Sequence, residues 1–372
     1  MSLRYFALLS CLLLRPTGTA AAPVDTELHR VDWQVVVSGL DHPWSLAFLP
    51  DGRLLITERV GRLRLVEADG RLHPKPIAGL PPIHPYGQGG LLDVALPPDF
   101  ARSRRVYFSF AERGPRGHGT AVAFGVLRGH RLENVRVIFR QRPKTAETRH
   151  FGSRLVFDRQ GHLFITLGDR GNRSSAQDLR RHAGSLIRID DGGIPPDNPL
   201  VGRSDAQPEI WSYGHRNMQG AALHPLTGKL WIHEHGPQGG DELNIPEAGK
   251  NYGWPVITYG REYFTDLPIG EGTRKPGMAQ PIHYWERSIA PSGMTFYTGD
   301  RFPRWRGDLF IGSLKFRLLV RLHLDDDRVV HEERMLADRL GRIRDVRQGP
   351  DGLIYLLTDA DDGKLVRLLP AQ

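Results

Sequence analysis

Residues 155–169 read LVFDRQGHLFITLGD, and this arrangement of two apolar strands around a polar turn decides the fold. The turn carries Asp and Gly, and the second strand is rich in aromatic and β-branched residues, which is the chemistry of a β-hairpin. Five further stretches repeat the pattern along the chain: Leu46–Glu58, Leu92–Phe110, Ala221–His235, Gly293–Ser313 and Asp345–Asp359. The chain therefore contains one hairpin unit in six copies.

Six copies of a hairpin predict an all-β protein with the architecture of a six-bladed β-propeller. A single hairpin cannot bury both of its faces, whereas radial stacking of six sheets buries them and exposes only short edges. The rival fold is a two-sheet sandwich, but it would need a division into domains that the composition does not show. In a propeller, polar residues at the strand ends gather around one mouth of the axial channel, so those residues are candidates for a shared site.

The N-terminal residues have the pattern of an export signal. Arg4 supplies a positive charge, Ala7–Leu14 supply an apolar core too short to span a bilayer, and Ala20–Ala22 supply a small-residue cleavage site. We expect residues 1–22 to be a cleaved signal peptide and residues 23–372 to be a single catalytic propeller domain, periplasmic or secreted, without stable insertion into a membrane. The one cysteine, Cys11, lies in the signal, so disulfides and thiolate metal ligands are excluded after cleavage, while lipidation of Cys11 is left open.

The chain is basic, with a formal net charge of +8 and a pI near 9.7. The arginines are scattered and form no basic stripe with interleaved aromatic residues, so we expect no nucleic-acid partner. A solvated basic surface is the simpler interpretation of this charge. A more specific interpretation is that some of these basic side chains together bind an anionic ligand.

Glycine-rich polar motifs lie between the repeated strands, where turns and close approach of the backbone to a flat ligand both favour glycine. They are GQGGLLD (87–93), RHFGSR (149–154), WSYGHRN (211–217), EHGPQGGDELN (234–244), NYGWP (251–255), SLK (313–315) and GRIRD (341–345). Together they resemble the soluble aldose sugar dehydrogenases that depend on pyrroloquinoline quinone (PQQ), relatives of soluble quinoprotein glucose dehydrogenase. The resemblance runs from about Leu40 to Leu368.

This resemblance implies PQQ- and calcium-dependent oxidation of aldose sugars at C1 to the lactone, with electrons passed to an acceptor that the sequence does not identify. PQQ is a planar quinone with three carboxylates, and a pocket for it needs several cations that form charge-assisted hydrogen bonds. We assign this role to four basic residues and, by resemblance, we add three further contacts. The set is Arg216, Lys315, Arg342 and Arg344, completed by Gln88, Asn217 and Tyr263.

Arg342 and Arg344 are two residues apart, so on a strand both side chains point to the same face. The alternative interpretation is an ordinary pair of surface arginines, which would contribute little to stability. The two interpretations differ in whether the guanidinium groups line a cavity or face solvent.

The resemblance assigns His150 as the general base that removes the hydroxyl proton while a hydride leaves for the quinone. An imidazole with a pKa near neutrality suits this task. The alternative for His150 is a turn histidine that caps backbone groups. Arg149 departs from the glucose dehydrogenase branch, which carries an acidic residue before the base, and a neighbouring cation is expected to lower the pKa of His150.

Calcium at the quinone oxygen would polarise the carbonyl that accepts hydride, and such a hard cation prefers oxygen ligands. The resemblance places this ion at the backbone carbonyls of Gly236 and Pro237. It places a second, structural calcium at Glu242 with Tyr252, for which an ordinary loop carboxylate is the alternative. Asp241 could share either role.

A zinc site at His233 and His235 is a weaker alternative, because the pair lacks any strong zinc signature. Four other histidines are expected to be structural or at the surface, namely His42, His84, His224 and His283. Nicotinamide and flavin are disfavoured, since no strand is followed by a GxGxxG turn and a helix.

Two other functions compete with the dehydrogenase. A calcium-dependent propeller lactonase would need acidic ligands at several blade ends, and a non-catalytic binding scaffold is compatible with any propeller. The four basic residues at blade ends favour the dehydrogenase. Whether the protein is a monomer or a homodimer is left open.

Overall fold

The computed structural model describes residues 22–191 and 193–371, so residues 1–21 of the predicted signal, with Cys11, lie outside the described part. The described residues are mostly strands. They include one short α-helix, α1 (Phe100–Ser103), and two turns of 3₁₀-helix at Arg173–Gln177 and Pro303–Trp305. No helix in this part of the chain is long and apolar enough to cross a membrane.

Twenty-four strands follow one another in the residues that the structure describes. In order they are β1 (Val24–Asp25), β2 (Arg30–Leu40), β3 (Pro43–Phe48), β4 (Leu54–Glu58), β5 (Arg62–Val66), β6 (Leu91–Ala95), β7 (Arg105–Gly114), β8 (Gly117–Arg128), β9 (Arg131–Arg140), β10 (Leu155–Phe157), β11 (Leu163–Thr166), β12 (Ser185–Ile189), β13 (Ile210–Tyr213), β14 (Met218–Leu223), β15 (Leu230–Glu234), β16 (Asp241–Asn244), β17 (His283–Trp285), β18 (Pro291–Phe296), β19 (Leu309–Ser313), β20 (Leu319–Asp325), β21 (Arg328–Met335), β22 (Ile343–Gln348), β23 (Ile354–Thr358) and β24 (Gly363–Pro370).

These strands form six antiparallel sheets, which confirms the six-bladed β-propeller. The first five blades are β3–β5, β6–β9, β10–β13, β14–β17 and β18–β21, and each of the predicted hairpins supplies the first two strands of a blade. The sixth blade has the order β22-β23-β24-β2-β1. Because β2 pairs antiparallel with β24, with Trp33 opposite Leu368, the beginning of the chain closes the ring onto its end.

The hydrophobic core lies between the faces of neighbouring blades. All five residues of β4 are buried, as expected of a central strand whose two faces are both covered. Leu46 and Ile56 of the first blade share one apolar cluster with Leu356 of the sixth, while Leu55 packs with Phe108 of the second. Burial of each such side chain contributes about 1.5–3 kcal/mol, so the repeated apolar strands are sufficient to explain the ring.

A buried ion cluster ties the innermost strands together. Arg154, just before β10, places Nη1 3.0 Å from Asp345 Oδ1 and 3.4 Å from Asp93 Oδ1, and its Nε donates to the Gln219 carbonyl at 2.8 Å. Its guanidinium also lies 4.1 Å from the centre of the Trp44 ring. Arg154 therefore links the third blade to four others, and it fixes Trp44 and Gln219, which line the cavity described next.

Candidate active site

A cavity of about 1160 Å³ opens at the end of the propeller where the innermost strand of each blade begins. Most of its wall comes from residues just before those strands and just after the second strands, as the hairpin repeats predict, and the loop between β16 and β17 adds Arg261, Tyr263 and Asp266. Ten of the residues assigned from the sequence line this cavity: Gln88, His150, Arg216, Asn217, Gly236, Pro237, Tyr263, Lys315, Arg342 and Arg344. The structure therefore brings together residues that are separated by as many as 256 positions in the chain.

Arg342 and Arg344 share a single carboxylate on the cavity wall. Arg342 Nη2 lies 3.2 Å and Arg344 Nη2 lies 2.9 Å from Oδ2 of Asp359, which follows β23. His42 Nδ1 approaches the other oxygen at 2.9 Å. Burial alone would raise the pKa of Asp359, but the charges and hydrogen bonds of Arg344, His42 and Arg342 hold it well below its usual range. The arginine pair thus faces the cavity as predicted, while the role of Asp359 was not foreseen. The contact of His42 with Asp359 agrees with its expected structural role.

Arg216 and Lys315 complete the basic wall from two other blades. Arg216 Nη1 donates to the carbonyls of His235 at 3.0 Å and Gly236 at 2.7 Å, and its guanidinium lies 5.4 Å from the Trp254 ring centre. Lys315 follows β19 and has no carboxylate partner among the described residues. The ammonium group of Lys315 is consequently available to an anion in the cavity.

His150 is held in an unusual backbone conformation. Its φ of 58° is in the left-handed region, which non-glycine residues seldom adopt. The backbone N–H of His150 donates to Gln88 Oε1 at 2.8 Å. A Cβ at Gly168 would lie 2.3 Å from the His150 carbonyl oxygen, so only glycine at 168 allows this close approach. The backbone fixes the imidazole on the cavity wall.

Asp169 orients the imidazole of His150. Asp169 Oδ1 lies 2.6 Å from His150 Nδ1 and accepts the Gly171 N–H at 2.7 Å, while Oδ2 accepts Trp254 Nε1–H at 2.8 Å. Burial by itself would raise the pKa of Asp169, but the hydrogen bond with His150 and the nearby charges lower it. An ionised Asp169 can only accept, so His150 carries its proton on Nδ1.

The remaining ring nitrogen of His150 is the basic one. Nε2 has no hydrogen-bond partner among the described residues and is not sealed from solvent, and His150 lines the cavity. Burial lowers the pKa of His150 below 6.5, the hydrogen bond with Asp169 opposes this, and the charges of Arg216 and Arg149 add to the lowering. The imidazole is therefore neutral near pH 7, with an unprotonated nitrogen open to the cavity.

The predicted influence of Arg149 on His150 is a minor one. The charge of Arg149 acts in the expected direction on the pKa of His150, but burial and Asp169 both have larger effects. The carboxylate that orients the base comes from Asp169, at the end of the third repeated hairpin. The sequence did offer a signal for Asp169, namely its position after the second strand of a hairpin. Residues at the equivalent position in other blades line the cavity.

The loop after β15 presents main-chain oxygens to the cavity. The Gly236 carbonyl accepts from Arg216 and the Pro237 carbonyl accepts from the Tyr263 hydroxyl at 2.9 Å, and both donors belong to the cavity wall. Asp241 Oδ1 accepts the Gly236 N–H at 2.9 Å and so holds the loop. A hard cation would fit these oxygens, whereas Asp241 itself acts as a support.

Glu242 and Tyr252 lie outside the main cavity and line a small adjacent one. Burial raises the pKa of Glu242 well above its usual value, and the nearby Glu234 raises it further. Asn244 Nδ2 lies 3.3 Å from Glu242 Oε2, while the buried Asn244 Oδ1 has no partner among the described residues. Two crowded carboxylates and an unpaired amide oxygen form a donor set that fits calcium.

Tyr252 can contribute to a calcium site here only through its main chain. Its hydroxyl donates to the Ile245 carbonyl at 2.7 Å and accepts the Glu247 N–H at 3.0 Å, so the side chain is already engaged. Only the main-chain carbonyl of Tyr252 is available as a ligand. Glu234 was not assigned from the sequence, because only the pairing of β15 with β16 places it opposite Glu242. Asn244 was not assigned either, although it is two residues after Glu242 on β16 and so shares its face.

The remaining histidines do not assemble a metal centre in the described part of the chain, where no three His, Cys, Asp or Glu side chains form a group that could hold a metal. His235 Nε2 lies 2.6 Å from the Pro291 carbonyl, and His233 is fully buried. A second cavity of about 1050 Å³, near Trp211 and Lys250, contains Tyr252 but no other residue assigned from the sequence.

Comparisons with known proteins agree with this geometry. A family model described as glucose / sorbosone dehydrogenase matches residues 40–367. The chain is 49% identical over 346 residues to the aldose sugar dehydrogenase YliI of Escherichia coli (strain K12), covering 91% of this chain and 93% of that protein.

Solved structures show the same similarity. The crystal structure of a glucose dehydrogenase superposes with a TM-score of 0.89 at 56% identity, covering 91% of this chain and 99% of that one. The PQQ-bound form of an aldose sugar dehydrogenase from Streptomyces coelicolor superposes with a TM-score of 0.74 at 27% identity, covering 93% and 100% of the two chains.

Proposed function

The chain belongs to the glucose / sorbosone dehydrogenase family, and on that basis we propose that it oxidises aldose sugars at C1 with PQQ and calcium as cofactors. The observation that carries the proposal is the meeting of four basic residues with a neutral, oriented His150 in one cavity. The PQQ-bound form of a structural relative supports the choice of cofactor. The product is the lactone, and the electrons leave to an external acceptor.

The basic wall suits PQQ, which carries three carboxylates. Lys315, Arg342 and Arg344 would bind these carboxylates, together with Arg216 and Asn217. Asp359 keeps the two guanidinium groups of Arg342 and Arg344 oriented before the ligand arrives. Gln88 and Tyr263 lie on the same wall and would add polar contacts.

The proton chemistry falls to His150. PQQ, when bound beside calcium, supplies a carbonyl that accepts the hydride from C1 of the sugar. His150 Nε2 would accept the proton of the C1 hydroxyl, because Asp169 holds the Nδ1–H tautomer. The developing imidazolium is stabilised by the ionised Asp169, whose other oxygen is fixed by Trp254.

Calcium would occupy two places. The Gly236 and Pro237 carbonyls would hold the ion that accompanies PQQ, and Glu242, Glu234 and Asn244 would hold a structural ion with the Tyr252 carbonyl. The crowding of the two glutamates supports the second position, since a cation there would relieve their repulsion.

The lactonase alternative finds little support in the charge of the cavity. A catalytic calcium held by carboxylates would need several acidic ligands at the blade ends, whereas this wall is mostly basic. A non-catalytic scaffold has no need of an imidazole oriented by a buried carboxylate.

Reconstitution separates these functions. Purified protein is mixed with PQQ, Ca²⁺ and a dye acceptor, and several aldoses are added in turn. We expect reduction of the dye that depends on PQQ, on Ca²⁺ and on the sugar. Lactone hydrolysis without PQQ, or correctly folded protein that reduces no dye with any aldose, would contradict the proposal.

Lys315→Ala is expected to weaken PQQ binding by about tenfold or more, since it removes one charge-assisted hydrogen bond from the basic wall. Equilibrium titration of the cofactor-free variant measures this, and circular dichroism checks the fold. Lys229→Ala is the matched control, because Lys229 immediately precedes β15 at the opposite end of its blade and pairs with Asp327. Equal PQQ affinity of both variants would exclude Lys315 from the binding site.

The rate of sugar oxidation should fall at acid pH as His150 becomes protonated. Because burial lowers the pKa of His150 more than Asp169 raises it, we expect the midpoint of this fall in kcat to lie below pH 6.5. The measurement uses saturating sugar, PQQ and Ca²⁺, so that cofactor loading does not limit the rate. A midpoint above pH 6.5 would contradict the neutral base.

We also propose that the protein is exported, on the strength of the N-terminal charge, apolar core and small-residue site in residues 1–22. Cell fractionation with N-terminal sequencing of the mature chain tests this. Recovery of the uncleaved chain from the cytoplasm would oppose it.

A further inference from the structure

A loop on the rim of the cavity exposes an aromatic ring without an evident structural purpose. Phe264 is fully exposed, with a relative accessibility of 102%, and Leu267 and Tyr263 beside it are exposed to 59% and 49%. Tyr263 and Asp266 line the cavity, but Phe264 does not. The phenyl ring therefore lies next to the mouth and faces solvent.

This loop is well ordered by hydrogen bonds. Arg261 Nε donates to the Asp266 carbonyl at 2.7 Å, and Glu262 forms a two-pronged ion pair with Arg173, one contact of which measures 2.7 Å. The Tyr263 hydroxyl anchors the loop to the Pro237 carbonyl. An exposed aromatic ring on a firmly held loop is typical of a contact residue at an interface.

The backbone at Phe264 supports the same conclusion. Its φ of 71° is in the left-handed region, where a bulky side chain is a genuine outlier. Strain of this kind persists where the surrounding contacts impose it, and it gathers at functional sites. A glycine or a polar residue would adopt this backbone conformation with less strain. The turn therefore does not explain why a phenylalanine is present.

The mouth beside this loop is strongly basic. Within the described residues, seven basic and three acidic side chains line the cavity, so its positive excess is larger than the three negative charges of PQQ. Asp266 pairs with Arg261, and Asp359 pairs with Arg342 and Arg344. Arg59, Arg287 and Lys315 have no carboxylate partner in this part of the chain.

We propose that the loop at Phe264 and the basic mouth form the docking surface for an acidic electron-transfer protein that carries a one-electron centre near its surface. The proposal rests on the proposed function, since each aldose oxidised leaves two electrons and two protons to be removed. Two molecules of the oxidised acceptor would each take one electron at the mouth, and two protons would pass to solvent. Complementary charge guides the encounter, and Phe264 supplies the apolar contact.

Binding to cofactor-free protein tests the surface without relying on turnover. Succinylated cytochrome c is the acidic probe, and native cytochrome c, with the same haem and a basic surface, is its control. We expect the succinylated form to bind more tightly, with an affinity that falls as salt is added. Phe264→Ala should weaken this binding by about tenfold.

Leu226→Ala is the matched control variant, because Leu226 is 83% exposed in the turn between β14 and β15, at the end of the blade opposite the mouth. We expect this variant to bind the probe like the unmodified protein. Loaded with PQQ and Ca²⁺, Phe264→Ala should reduce a small dye at the normal rate, because a small dye needs no docking surface.

Three results would overturn the docking surface. The first is equal binding of both cytochromes, and the second is an equal loss of binding in Phe264→Ala and Leu226→Ala. The third is a raised KM for the sugar in Phe264→Ala, because that result would make the phenyl ring part of the substrate site. Failure of the proposed function would appear separately, as absence of dye reduction by the unmodified protein.

Discussion

His150→Ala is expected to lower kcat for aldose oxidation by about 10²–10⁴-fold, the range that a well-placed general base contributes. The variant loses the unprotonated imidazole nitrogen that Asp169 orients on the cavity wall. Its affinity for PQQ should be preserved, because Lys315, Arg342 and Arg344 remain in place.

The measurement pairs steady-state kinetics with titration of PQQ against the cofactor-free variant. His162→Ala is a suitable control, since His162 is a partly buried histidine that pairs with Asp158 at the opposite end of the third blade. A kcat within tenfold of the unmodified value would remove His150 from the chemistry. Loss of PQQ binding together with activity would instead assign His150 a structural role in the pocket.

Asp169→Asn is expected to lower kcat by on the order of 10²-fold or more, because an amide at this position can donate to Nδ1 and leave the proton on Nε2, the wrong tautomer for a base. The carboxylate also raises the pKa of His150, so its loss should move the acid limb of the kcat profile to lower pH. A purely structural role for Asp169 would not shift that limb.

Trp254→Phe is the matched control for this prediction. It removes the indole N–H that donates to Asp169 Oδ2 at 2.8 Å but leaves the carboxylate and its bond to His150. We expect a smaller loss of activity and an acid limb close to the original one. An unchanged pH profile in Asp169→Asn would contradict the orientation of the base by this carboxylate.

The sequence predicted the propeller because the features that indicate each hairpin are close together in the chain. Each hairpin carries its own turn and its own apolar strands, so six copies could be recognised without knowledge of how they pack. The four cations were assigned from the charge of PQQ, and the other site residues were assigned from the family resemblance that the motifs carry. Arg342 and Arg344 could even be placed on one face, since alternation along a strand fixes their direction.

The residues that support Asp169 and Asp359 could not be predicted, because they come from neighbouring blades. Trp254 lies 85 positions from Asp169, and His42 lies 317 positions from Asp359. No spacing rule links such positions. Asp169 and Asp359 each follow the second strand of a predicted hairpin, and that position was their signal in the sequence. Trp254 and His42 became visible only when the packing of neighbouring blades was known.

A crystal structure of the protein soaked with PQQ and Ca²⁺ examines the whole arrangement at once. We predict PQQ in the cavity, with its carboxylates bound to Lys315, Arg342 and Arg344 and with His150 Nε2 facing its reactive carbonyl. PQQ bound elsewhere on the propeller, or bound in the cavity with His150 turned away from the quinone, would contradict the proposed chemistry.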